Sequence, residues 1–151
     1  MAAFWQTYGW VVLGLTAGAG WGMSYILYEK LLLKFPVSLV MFLTGMASFA
    51  FFGIVAWSRG YLPEIKTVFS TPMLIGGFIA VIALNILANA SILTAVNMSN
   101  ASRAAFLEIS YPLFTLLFAY IIFKEIQLSA LGMVGGCFIL LGTIIMVYAG
   151  K

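Results

Sequence analysis

The chain contains no histidine and no aspartate, and only one cysteine, Cys137, among its 151 residues. That inventory excludes ordinary zinc sites, Ser-His-Asp triads and disulfide frameworks, and no metal or cofactor is expected. Charge is equally scarce. Seven Lys and Arg and four Glu make up 7% of the residues, against roughly 25% in a soluble domain. So few charges cannot solvate the surface of a globule, which excludes a soluble enzyme and a disordered chain. The net charge of +3 is scattered, and no basic cluster offers a grip on nucleic acid. What the chain has instead is apolar mass: 64% hydrophobic, 16% aromatic, with mean hydropathy +1.15. An integral membrane protein, with the lipid bilayer as its first partner, is the class that remains.

A spanning helix needs about 20 mostly apolar residues at about 1.5 Å of rise each. Charges and turn formers divide the chain into five such runs, at about 8–28, 37–57, 73–95, 101–122 and 128–148. The expected fold is all-α, a single membrane domain over 1–151. Only Ser58 to Pro72 forms a loop of any length, and its alternating pattern suits either a short interfacial helix or a plain loop. The first run has no cation before Lys30, so it reads as a retained anchor rather than a cleaved signal. Trp5, Tyr8, Trp10, Tyr25, Tyr28, Trp57, Tyr61 and Tyr148 fall near span ends, as interfacial aromatic belts do.

Loop cations give no orientation. Lys30, Lys34, Arg103 and Lys151 fall on one side, and Arg59, Lys66 and Lys124 on the other with the N-terminal amine. The positive-inside rule is therefore tied. Either a partner decides the orientation, or copies insert both ways and pair antiparallel.

Helices associate in lipid through small residues. Gly14, Gly18 and Gly22 form a double GxxxG face on the first span, and Gly132 and Gly136 repeat the spacing on the fifth. These are expected helix-packing positions, within a subunit or between subunits. The third span carries Asn85 and Asn89 one turn apart. They would line a polar substrate cavity or join helices by hydrogen bonds.

The fourth span holds the only carboxylate deep inside an apolar run. Glu108 lies about 10 Å along its helix from Ala101. In a continuous helix Tyr111, Pro112 and Thr115 would share its face. Pro112 removes a backbone donor and is expected to kink the helix. Hydrocarbon disfavours the charged carboxylate, which suits a group that loads and releases a proton. Glu108 is therefore the candidate proton or cation site. The alternative is a structural partnership with Arg103 or with the asparagines.

Several stretches together resemble a known family. Ala95 to Ala105 reads Ala-Val-Asn-Met-Ser-Asn-Ala-Ser-Arg-Ala-Ala; Tyr111-Pro112-Leu113-Phe114-Thr115, Phe123-Lys124-Glu125 and a glycine-rich run from Gly132 to Gly142 follow. The order and spacing are similar to an EamA-type repeat of the drug/metabolite transporter superfamily, and Trp21-Gly22 and Pro36 fit the same pattern. One departure is that 37–57 carries no charge where many such repeats have an early Arg. The resemblance implies one half of an inverted-repeat transporter fold, since full-length relatives have two five-span repeats in opposite orientation. A free half would pair with an oppositely inserted copy, as a homodimer, or with a paralogue. Its site would lie near the midplane at the repeat interface.

On this resemblance the chain is a small secondary transporter rather than an enzyme. It would export or exchange a small metabolite, a drug or a lipid-linked group by alternating access, coupled to protons through Glu108. Asn85, Asn89, Tyr111 and Thr115 would line the cavity, with Trp21 near it. The implied location is the bacterial cytoplasmic (inner) membrane. The competing expectation is a non-transporting integral subunit that scaffolds a larger membrane complex.

Overall fold

The computed structural model describes residues 2–149, with side chains from Phe4 onward. Lys151, counted above among the loop cations, lies outside them. Among the described residues there is helix and turn but no strand. The elements are α1 (Ala2–Leu32), α2 (Val37–Ser58), a 3-10 turn (Leu62–Glu64), α3 (Ile65–Val68), α4 (Pro72–Met98), α5 (Ala101–Glu108), α6 (Tyr111–Phe118), a π turn (Ala119–Phe123) and α7 (Ala130–Ala149). Five helical segments are long and apolar enough to cross a membrane: Phe4–Leu32, Val37–Ser58, Pro72–Met98, Ala101–Phe123 and Ala130–Ala149. The fold is that of an all-α integral membrane protein.

Helix ends follow local chemistry. Pro36, extended at φ −68° and ψ 150°, caps the start of α2. At the other end Gly60, at φ +71°, closes α2 in a Schellman arrangement. Its amide donates to the Trp57 carbonyl at 3.0 Å, and the Tyr61 amide donates to that of Ala56 at 2.9 Å. A residue without Cβ takes this left-handed position at no steric cost. Pro72 opens α4, where its missing N–H is one that the helix could not have used. The Ser58–Pro72 connection holds the 3-10 turn and α3, two short helical pieces in place of a plain loop.

The chain divides into two compact units. One comprises the described residues of Met1–Glu29 and Val96–Lys151, the other Lys30–Ala95. In the second unit Leu32, Val40 and Leu93 are buried. In the first, the buried side chains are Tyr25, Val96, Ala101, Ala104, Ala119 and Thr143. Most large apolar side chains face outward, Phe49 at 84% and Met73 at 88% exposed among them. Water would penalise such a surface heavily; lipid tails do not.

The fourth span is not one continuous helix. α5 stops at Glu108 and α6 starts at Tyr111. Pro112 sits in the first turn of α6, where proline is tolerated. The Ser110 amide turns to the Leu107 carbonyl at 3.2 Å instead of the Phe106 carbonyl four residues back. Thr143 on α7 donates its hydroxyl to that Phe106 carbonyl at 3.2 Å, sharing it with Ile139 at 3.0 Å. The tie matters because a backbone group left unmet in hydrocarbon costs several kcal/mol, on the order of the whole interhelical contact. The span then ends in the π turn, with Lys124 at φ 58° and its ammonium 5.5 Å from the Tyr120 ring centre. A left-handed lysine costs about 1 kcal/mol of strain, which the cation–π contact helps offset.

Close helix approach is confined to particular glycines. A Cβ added at Gly136 would lie 3.3 Å from Leu113 of α6, and one at Gly132 the same distance from Leu128, just before its own helix. At Gly14, Gly18 and Gly22 an added Cβ would meet nothing within 4 Å. Among the described residues of its own unit, the double GxxxG spacing of α1 thus meets no close neighbour.

Thr143→Val keeps the shape of the side chain and removes its hydroxyl. Unfolding free energy in detergent is expected to fall by about 1 kcal/mol, the scale of an interhelical hydrogen bond in a membrane protein. Wild-type stability in that variant would show the Thr143–Phe106 tie to be dispensable.

Candidate functional site

The site is built in the first unit, where α1 and α5 run antiparallel. Two contacts set that arrangement. Near one end, the Ala101 amide donates to Glu29 Oε2 at 2.7 Å. One turn back along α1 and two turns along α5, the Tyr25 hydroxyl donates to Glu108 Oε2.

The first contact explains the start of α5. The first amides of a helix have no partner within it. Asn100 is the N-cap, in extended conformation, and its side-chain oxygen accepts from the Arg103 amide at 2.9 Å. Glu29 takes the Ala101 amide, so a carboxylate sits at the positive end of the helix dipole. The polar run that breaks the sequence between the third and fourth spans is therefore a capping device, completed by a residue 72 positions away.

The second contact engages the intramembrane carboxylate. Glu108 is half-buried at the last residue of α5, beside the break at Ile109–Ser110. A hydroxyl donor on an ionised carboxylate is a charge-assisted bond, and it offsets part of the cost of a carboxylate in hydrocarbon. Tyr25 is 4% exposed. Its ring packs against Trp21 at 5.9 Å between centroids and 30° between planes. With Gly22, Ile26, Ala101, Ala105 and Ile109 it walls a groove of about 250 Å³.

The residues expected at a site are distributed as follows. Glu108 and Trp21 both meet Tyr25, one through its hydroxyl and one through its ring. Tyr111 is the first residue of α6, just past the break, and is exposed. Thr115 is exposed and donates to the Tyr111 carbonyl of its own helix at 3.1 Å. The break after Glu108 interrupts helical phase, so the one-face argument for Glu108, Tyr111 and Thr115 does not carry across it. Asn85 and Asn89 belong to the second unit. Each turns its side-chain amide to a carbonyl one turn back on α4, Val81 at 3.0 Å and Asn85 at 2.9 Å.

Sequence reasoning missed three residues. Tyr25 reads in the sequence only as part of an aromatic belt, and Glu29 and Thr143 carry no role there. A signal for two of them exists. Trp21, Tyr25 and Glu29 recur every fourth residue, the stripe of one helix face, and that stripe meets α5.

Five helical segments long and apolar enough to cross a membrane, one of them broken beside a carboxylate, define a polytopic helical membrane protein. The EamA-like transporter family model matches residues 8–148, and the chain belongs to that family, whose members are membrane transporters of the drug/metabolite type. No curated protein matches the chain, and no solved structure does.

Replacing Glu29 separates capping from bulk. Glu29→Ala is expected to lower the unfolding free energy in detergent by about 1 kcal/mol, the usual scale of a lost cap. Glu29→Gln, which keeps an acceptor oxygen, should recover most of it. Equal stability of the alanine variant and wild type would discard the capping role.

Proposed function

We propose that the chain is a small secondary transporter. It exports or exchanges a small metabolite, a drug or a lipid-linked group by alternating access, with Glu108 as the proton or cation site and no enzymatic step. The observation that carries this is the position of Glu108, a carboxylate within an apolar span and at the end of a broken helix. Ionisable groups inside membranes are costly and mark ion and substrate pathways. Discontinuous helices at mid-membrane are where transporters of inverted-repeat design place their sites. Family membership supports the same reading.

Tyr111, Thr115 and Trp21 are proposed as cavity residues around Glu108, and Asn85 and Asn89 as polar lining residues on α4. Pro112 sets the break that lets the helix flex. A second five-span unit completes the transporter, most simply an oppositely inserted copy in the cytoplasmic membrane. The tied loop cations support that insertion, and the four-residue spacing of Gly14, Gly18 and Gly22 is of the kind that helix packing with such a partner uses.

Two measurements test the proposal. In proteoliposomes with a trapped pH dye, challenged with a panel of amino acids, nucleosides and amphipathic drugs, at least one compound should drive proton flux. Glu108→Gln should cut that flux at least about tenfold, as expected for loss of an essential proton carrier. Flux of unchanged size and pH dependence would remove Glu108 from the mechanism, and no flux with any compound would favour a non-transporting subunit. Single cysteines at Lys34 and Lys66, in a Cys137→Ala background, should each label from both sides of the membrane. Labelling of each from one side only would eliminate the two-way homodimer.

A further inference from the structure

We infer that Tyr25 is the positioning residue of the proton site: its hydroxyl holds the Glu108 carboxylate against α1 in the ionised form and must exchange partners when Glu108 takes up a proton or a cation. The inference rests on the proposed role of Glu108.

Three observations support it. Tyr25 is almost wholly buried, while Glu108 is only half so. The phenol is therefore fixed and the carboxylate keeps a side open to the surroundings. The ring is held by Trp21 and by its near-complete burial, so the hydroxyl has little freedom to follow a departing partner. The bond also distinguishes the states of Glu108. An ionised carboxylate only accepts, so the phenol donates to it with charge assistance. A protonated carboxyl has an O–H of its own, and the strong form of the bond is lost. Because Glu108 is the last residue of α5 and the break follows at once, loss of that tie loosens α1 from α5 at the point where the fourth span is already interrupted.

The neighbouring charged and titratable groups lie as follows. On α1, Glu29 accepts from the Ala101 amide, and Tyr28 lies three residues beyond Tyr25. On α5, Arg103 lies five residues before Glu108, about 140° around that helix. On α6, Tyr111 is the first residue.

A probe that needs no transported substrate tests the idea. Dicyclohexylcarbodiimide partitions into the bilayer and reacts with protonated carboxyls. Adduct at Glu108 is measured by peptide mass spectrometry across a pH series, on full-length protein in liposomes, with Glu108→Gln as the blank. Tyr25→Phe keeps the ring and removes the donor. Its labelling midpoint should move to about tenfold lower proton concentration, because hydrogen bonds to the charged form favour that form. Tyr28→Phe, which removes a phenol but no donor to Glu108, should stay at the wild-type midpoint. If Tyr25→Phe does not accumulate, difluorotyrosine inserted at position 25 is a stronger donor and should move the midpoint the opposite way.

An unmoved midpoint in either Tyr25 variant overturns the inference. Should the midpoint move while Glu108→Gln transports normally, the transport role fails and the Tyr25–Glu108 linkage stands. Should Glu108→Gln abolish flux while the Tyr25 variants leave both the midpoint and the pH profile of flux unchanged, the linkage fails and the transport role stands.

Discussion

The bilayer supplies no water to a backbone, so every amide and carbonyl that leaves a helix must be met by the protein. That constraint accounts for the polar contacts at the helix ends of this structure. Where α5 begins, Asn100 and Glu29 meet two amides. Where it ends, the Phe106 carbonyl is met by Thr143 from another helix. Where α2 ends, Gly60 folds the chain back onto its own carbonyls. At these interruptions the scarce polar side chains save the most, whereas Asn85 and Asn89 bond carbonyls of their own continuous helix.

The same constraint gives Glu108 its meaning. A carboxylate could be removed from an apolar span at little cost to packing, so its presence next to the break at Ile109–Ser110 is itself informative. Its partner is a neutral phenol. A buried opposite charge would hold the carboxylate permanently ionised and make any exchange expensive. A phenol stabilises the charge while leaving it able to change state, which is what a carrier of protons or cations requires. The break alongside is spanned by short turns, Ser110 to Leu107 and Leu113 to Ser110, in place of the regular helical ladder.

Much of this architecture is legible in the residues. Five apolar runs separated by Glu29-Lys30, Ser58-Arg59-Gly60, Asn97 to Asn100 and Lys124-Glu125 correspond to the five spanning helices, because hydrocarbon thickness dictates helix length and charge dictates where the helix must stop. Glu108 and Pro112 stand out for the same reason: both are expensive in a span. The break itself was legible only as a kink. Proline indicates that a donor is missing, but the carbonyl left bare at Phe106 depends on how Ser110 turns, which is a property of three-dimensional closure. The glycine faces show the limit most clearly. Gly132 and Gly136 have tight neighbours in the chain, whereas Gly14, Gly18 and Gly22, at the same spacing, have none.

The sequence by itself determined the class of protein and the number of crossings, and it singled out Glu108 as a carboxylate deep within an apolar run. These follow from one-dimensional quantities: the length of apolar runs, the placement of charges and the presence of proline. Only the tertiary structure decided what Glu108 touches, how α5 is capped and which carbonyl Thr143 serves. Tyr25 and Glu108 are separated by 83 positions, and Glu29 and Ala101 by 72. Such pairs come together only through the antiparallel packing of α1 on α5, which no local periodicity encodes.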